Sequence, residues 1–321
     1  EMNEILRQKN ETMLKSVNLI RDYQTGKKIN GIDEAFDLLK KNSSLTEVPN
    51  KTELVKSTVD AYLTSKNMDG TLVITASNKD RLELNKNIRS ELKKIGKIDK
   101  KDLQTKISVP VNLSGIQRHF SQNYELKQNI LIEQHDLTND RKDFFNATIV
   151  ALDPKLNSLQ VLTQHNEIKQ IHLRDNNIRT RIILYESQER NFSTGDKVIF
   201  LKNDRELNIQ NGLTGKIEKI GQKGTFHIRP KNSKRLIKIN PKKFPWLDHS
   251  YALSIHKSQG LTSSKVILLA DTQYQKLNRT ESFYVAISRA EKKVKIFTND
   301  AHKLKEQFKE GQDKTSTLLP K

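Results

Sequence analysis

Two short stretches near the C-terminal end hold side chains whose types and spacing could do chemistry. In YALSIHKSQG (251–260), an apolar run ends abruptly in His256, Lys257, Ser258, Gln259 and Gly260. A strand that stops at imidazole, ammonium, hydroxyl and amide groups aims them where open α/β sheets bind ligands, beyond the carboxyl ends of the strands. Gly260 would let the backbone bend there, or let a ligand come close. In ESFYVAISRAEKKV (281–294), Phe283, Tyr284, Ile287 and Ala290 fit an apolar helix face and leave Ser288 and Arg289 at a turn before the next strand. An arginine fixed on a rigid element and facing a cleft is what phosphoryl transfer uses to neutralise charge on a γ-phosphate. An ordinary polar loop and a surface charge are the plainer readings of the two stretches. A third pair, Arg7 and Gln8 in EILRQ (4–8), stands together on a helical pattern.

Composition bounds what these groups can serve. The chain has 321 residues, enough for two domains or for one domain with a large insertion. Lysine and arginine number 57 against 38 acidic residues, a net charge of +19. A polyanionic partner would gain from such a surface, because clustered cations release the counterions of phosphates. A lysine-rich coding background is the other source of such a charge. The absence of cysteine excludes disulfides, thiolate nucleophiles and cysteine-ligated metal sites. The eight histidines are scattered, with no HExxH and no carboxylate cluster at metal spacing, so no metal site is expected. No apolar run approaches the roughly 20 residues that cross a bilayer, and no signal-peptide pattern opens the chain. A cytoplasmic protein without a membrane segment is the expectation.

The elements that would position these groups can be read from periodicity. Residues 1–40 look helical, with Ile5, Leu6, Met13, Leu14, Val17 and Ile20 near a 3.6-residue period. The pattern begins without N-terminal punctuation, which suggests a piece of something longer. TLVITAS (71–77) reads as a buried strand, and a helical pattern follows from Asn78 to about Lys94, half of a βαβ unit. From 107 to 243 the chain reads as short strands parted by turn residues: NATIVALDP, NSLQVLTQ and IKQIHLRD, then DKVIFLKND, GLTGKIEKI, GTFHIRP and RLIKIN. Such spacing suggests a small barrel or sandwich. Strand KVILLAD (265–271), a helix over 281–289, strand KVKIFTN (293–299) and a final helix resume the α/β pattern. The expected organisation is one α/β domain in two pieces, 1–106 and 244–310, around a β-rich insertion at 107–243, with a flexible tail at 311–321.

Taken in order, the motifs resemble those of superfamily-one DNA helicases of the RecD-like branch. HKSQG followed by YVAISRA (284–290) looks like motifs V and VI, and EMNEILRQKN (1–10) resembles the motif IV region. LVITASNKDRLELNKNIR (72–89) resembles the strand and helix that follow it. FSTGDKVIFLKNDRELNIQNGLTGKI (192–217) resembles an SH3-like barrel inserted before motif V. The order and the added β block at 141–175 are most similar to the helicase part of TraI-like conjugative relaxase–helicases. That resemblance covers nearly the whole chain. It implies an α/β, RecA-like parallel-sheet domain, the second of the motor, interrupted by a β-rich insertion with an SH3-like barrel at about 193–243.

The resemblance also implies roles. Arg289 would be the arginine finger and Arg7 the motif IV arginine at the same phosphates, with Gln8, Gln259 and Gly260 near the nucleotide. His256, Lys257, Ser258, Thr75 and Asn78 would face single-stranded DNA, and Lys202 and Asn203 in the barrel's FLKND turn are further candidates for DNA contact. A solvated turn is the other reading of that last pair. Thr262 stands where related helicases often carry a glutamate that contacts the nucleotide ribose. No G-x-x-x-x-G-K-[ST] occurs, because the spacing in Gly212-Leu213-Thr214-Gly215-Lys216 is too short. ATP and Mg would therefore be bound mainly by an upstream domain, and this piece is expected not to hydrolyse ATP by itself. The function implied is that of a 5′-to-3′ DNA helicase in conjugation, with type IV secretion or relaxosome proteins as further partners. The alternative is a vestigial helicase module that binds single-stranded DNA for recruitment without hydrolysis.

Overall fold

The computed structural model describes residues 10–111, 116–138, 141–174 and 178–316. Two compact units emerge: one from the chain up to Lys100, Gly195–Lys197 and the chain from His249 onward, the other from Lys101–Thr194 and Val198–Asp248.

The first unit opens with α1 (Glu11–Gln24), α2 (Gly31–Lys41), β1 (Leu45–Glu47), α3 (Lys51–Leu63), β2 (Thr71–Thr75) and α4 (Asn78–Lys94). Asn10, Asn50 and Ser77 cap α1, α3 and α4, each accepting a backbone N–H from the first turn, the placement these residue types favour. The helical run expected over 1–40 thus breaks into two helices at the turn from Thr25 to Asn30. The second unit carries β3 (Leu103–Pro110), β4 (Asn129–Asp136), β5 (Arg141–Asp153), β6 (Ser158–Thr163), β7 (Ile168–His172), β8 (Ile178–Phe192), β9 (Lys197–Phe200), β10 (Thr214–Ile220), β11 (Phe226–Pro230), β12 (Ile237–Ile239) and β13 (Leu247–His249). The chain then returns to the first unit with β14 (Ala252–Ser254), β15 (Ser263–Ala270), α5 (Thr280–Ile287), β16 (Ala290–Thr298) and α6 (Ala301–Ser316).

The two sequence pieces of the first unit build one parallel sheet in the order β1-β16-β15-β2-β14. Strands β2 and β15 carry buried residues on both faces, as expected where helices cover both. Val73, Ile267, Leu269 and Phe297 pack with Leu54, Val59 and Tyr62 of α3 and Leu84 and Ile88 of α4. Alternation turns Leu268 and Ala270 to the other face, where they meet Phe283 of α5 and Phe308 of α6. Phe283 and Phe308 stack there, with ring centroids 4.6 Å apart.

The second unit is all β. Six strands in the order β3-β8-β4-β5-β6-β7 form an antiparallel sheet around Ile130, Ile132, Ile149, Leu159 and Val161. A further five-stranded sheet has the order β12-β11-β10-β9-β13. The fold is thus α/β with a parallel sheet interrupted by a β-rich insertion, as the sequence implies.

Candidate functional site

β14 is an edge strand, paired in parallel with β2. Asn85 of α4 holds it in place: its Oδ1 accepts the N–H groups of Tyr251 and Ala252 at 2.9 and 3.1 Å, and its Nδ2 donates to Ala252 O at 2.8 Å. At the carboxyl end of β14 the chain makes a single 3-10 turn, His256–Ser258. The N–H of Ile255 donates to Thr75 O at 3.2 Å, which ties this turn to the carboxyl end of β2. Ser258 is buried, and its Oγ closes the turn by donating to Ile255 O at 2.7 Å. Thr75 is buried as well. His256, Gln259, Gly260 and Asn78 are exposed, while Lys257 is half-buried. Asn78 Oδ1 accepts Nε–H of Arg81 at 2.8 Å. The sheet order then carries Gln259 to Thr262 across β2 toward β15.

Arg289 lies at the other end of that path. It joins α5 to β16, and its carbonyl accepts the N–H of Ser263, the first residue of β15, at 3.0 Å. Its half-buried guanidinium is held by its own turn: Nε–H donates to Val285 O at 3.0 Å and Nη2–H to Ser288 Oγ at 3.1 Å. The structure therefore brings Thr75, Asn78 and His256–Ser258 together at the carboxyl end of the sheet. Arg289 stands at the amino end, where the polar loop finishes. Arg7 and Gln8 lie outside the described residues.

Lys202 and Asn203 belong to the second unit, in the loop after β9. Lys202 Nζ sits 5.6 Å from the centroid of the Trp246 ring, which in turn meets Tyr185 edge-on at 4.9 Å. Burial pulls the Lys202 amine below its ordinary range, against the opposing pull of Glu133 and Asp204. Asn203 is exposed, and its Oδ1 accepts the N–H of Asn211 at 2.7 Å.

Two charged clusters of the first unit escape sequence reading. Lys51 donates to Asp80 Oδ1 at 2.7 Å and to Asp271 Oδ2 at 2.8 Å, beyond the carboxyl ends of β1, β2 and β15. Asp196 accepts Nε–H of Arg89 at 3.0 Å and the hydroxyl of Tyr251 at 2.7 Å. His249 Nε2 lies 3.8 Å from the same carboxylate. Burial pushes the Asp196 carboxyl up, yet hydrogen bonding and electrostatic attraction from His249 and Arg89 outweigh it and hold the group below the ordinary carboxylate range. A terminal aspartate in KVILLAD is the one local hint of either cluster.

Comparison with known proteins agrees with the motifs. Residues 249–296 match the family model described as the UvrD-like helicase C-terminal domain. A probable conjugal transfer protein TraA of Sinorhizobium fredii is 32% identical over 113 residues, 35% of this chain and 10% of that protein. The conjugal transfer protein TraA of Agrobacterium fabrum is 31% identical over 110 residues, 34% of this chain and 10% of its own. The match spans about a tenth of the length of these curated relatives. Among solved structures, Bacteroides Pif1 bound to single-stranded DNA aligns over 95% of this chain and 52% of its own at 17% identity, with a TM-score of 0.47. Pif1 helicase from Candida albicans aligns over 98% and 60% at 14% identity, with a TM-score of 0.43. Residues 249–296 are thus similar to the UvrD-like helicase C-terminal domain, and part of the chain is similar to conjugal transfer relaxase–helicases of the TraA type.

Proposed function

We propose that this chain is the C-terminal motor half of an ATP-dependent, 5′-to-3′ DNA helicase in a conjugative relaxase. The observation that carries the reading is the path from His256 to Arg289: one polar loop links the exposed carboxyl end of the parallel sheet to an arginine fixed between α5 and β16. A helicase needs such a link, because strand contact and nucleotide contact must move together.

In this reading, exposed His256 and Asn78 with half-buried Lys257 contact the backbone of single-stranded DNA, while buried Thr75 and Ser258 hold the loop that presents them. Lys202 and Asn203 add strand contacts from the insertion, which we read as including the SH3-like barrel. Gln259 and Gly260 lie toward the nucleotide. Arg289 supplies positive charge to the γ-phosphate, helped by Arg7 with Gln8 beside it. The donor set suits a phosphate: Arg289 is a permanent cation whose position is fixed by two hydrogen bonds to its own turn. ATP with Mg supplies the phosphoanhydride whose hydrolysis drives the motor, and an upstream domain of the parent protein provides the phosphate cradle and the metal. Type IV secretion or relaxosome proteins are the partners this setting implies.

The test is DNA-stimulated ATPase of the parent protein. Arg289→Ala should lower turnover about 10³-fold or more while leaving DNA binding intact. A wild type with no ATPase but salt-sensitive single-strand binding would sink the motor and favour the vestigial, recruiting module.

A further inference from the structure

A cavity of about 370 Å³ opens in the first unit, where the N-terminus of α1 and the C-terminus of α2 meet β15 and β16. Its charged lining is Lys265, Lys292, Lys293 and Lys295, and among the described residues no carboxylate lines it. The concentration follows from register. Lys293 and Lys295 share one face of β16, and Lys265 of β15 pairs directly with Lys293. Like charges placed side by side in a sheet repel, so something must favour keeping them.

The partners these amines have in the fold are neutral. Lys265 Nζ turns to the α3 side, donating to Ala61 O at 3.1 Å and Ser65 Oγ at 2.8 Å, neither of which lines the cavity, and Lys295 Nζ donates at 3.0 Å to Ser43 O, which does. Burial, and then the charges of Lys293 and Lys295, hold the Lys265 amine below its ordinary range. Lys292 and Lys293 remain exposed at the rim. Thr12, in the first turn of α1, and Asn42, just past α2, add uncharged polar groups to the wall. The N-terminal end of α1 also favours negative charge.

We propose that this pocket binds a phosphate-bearing anion of more than one negative charge, separate from the nucleotide contact assigned to Arg289. Arg289 does not line the cavity, and the inference stands whether or not the parent protein is an active motor. Two sources carry this chemistry, the polyphosphate of a nucleotide and the phosphodiester backbone of a nucleic acid. Among the described residues the wall carries no aromatic ring on which a base could stack, so recognition rests on the phosphates.

Inorganic pyrophosphate is the probe, titrated calorimetrically into the 321-residue chain at fixed ionic strength. Saturable binding is expected. The double variant Lys292→Ala/Lys293→Ala should weaken it by about 10- to 100-fold, as loss of charge-assisted hydrogen bonds does, and Lys292→Arg/Lys293→Arg should restore most of it. Both positions lie at an exposed rim, so circular dichroism should report an unchanged fold. Displacement of pyrophosphate by oligo(dT) would assign the pocket to a strand backbone, and displacement by ATP alone would assign it to a nucleotide. Absence of saturable binding, binding indifferent to the double alanine variant, or binding abolished by Arg289→Ala would each overturn the proposal. A parent protein without ATPase activity would defeat the motor reading and leave these titrations as they stand.

Discussion

Lys51 stands between two carboxylates that water scarcely reaches: the side chain of Asp80 is 0% exposed and that of Asp271 is 3%. The ammonium bonds to both, and the ring of Tyr274 lies 5.7 Å from it. Asp80 Oδ2 is buried with no hydrogen-bond partner among the described residues, so Lys51 does most of the neutralising. Lys51→Met would leave two buried acids facing one another. We expect a loss of about 3 kcal/mol, the low end for breaking a buried pair, because Lys51 itself keeps 35% of its side chain in water. Urea unfolding of wild type and variant measures it. The pH dependence has a definite sign. Burial pulls the Lys51 amine down, but Asp271 and Asp80 together raise it above its ordinary value of 10.5. A raised value means the stabilisation is fully present below 10.5 and fades as pH climbs through the higher folded value. The gap between wild type and variant should therefore persist through neutral pH and close only in strong alkali. A gap that closes near neutral pH would mean that the amine is not the charge holding this corner.

Strands β2 and β15 are legible in the sequence as apolar, β-branched runs between breaks, TLVIT and VILLA, and β16 as the alternation KVKIFT. The polar loop is legible for a related reason, since four hydrogen-bonding side chains at the end of an apolar strand call for an explanation. What pairing creates cannot be read this way. The partners of Lys51 lie 29 and 220 residues away, and the lysine pocket exists only because register sets Lys265 beside Lys293. Backbone conformation gives a sharper test at two connections, the loop after β14 and the link from β8 to β9. Gly260 has φ +81 and a β-carbon there would meet nothing within 4 Å, whereas Gly195 has φ +96 and a β-carbon would meet Ile98 at 3.0 Å and Lys97 O at 3.2 Å. Gly260→Ala should thus lose only the left-handed strain, about 1–2 kcal/mol, and leave the loop in place. Gly195→Ala adds crowding against backbone, so its melting temperature should fall further. Equal losses in the two variants would show that the Gly195 connection can yield.

At the scale of the whole molecule, a net charge of +19 acts in two opposite directions. Self-repulsion among that many cations destabilises the compact state, and dissolved salt screens it. The same salt weakens any hold the cations have on a phosphate backbone, because each counterion released then gains less entropy. Aromatic residues make up only 6% of the chain, so stacking can supply little of a strand's affinity, and electrostatics must carry the rest. Raising salt from about 50 to about 200 mM should therefore raise the unfolding midpoint while weakening oligo(dT) binding. For four phosphate contacts on a single strand the loss would be roughly 50-fold. Lys257→Ala should flatten the slope of log affinity against log salt by about 0.7, one contact's share. Thermal melts and fluorescence anisotropy across one salt series give both quantities from the same protein. Affinity that ignores salt while the melting temperature rises would separate the charge from DNA binding and leave it as a property of the surface alone.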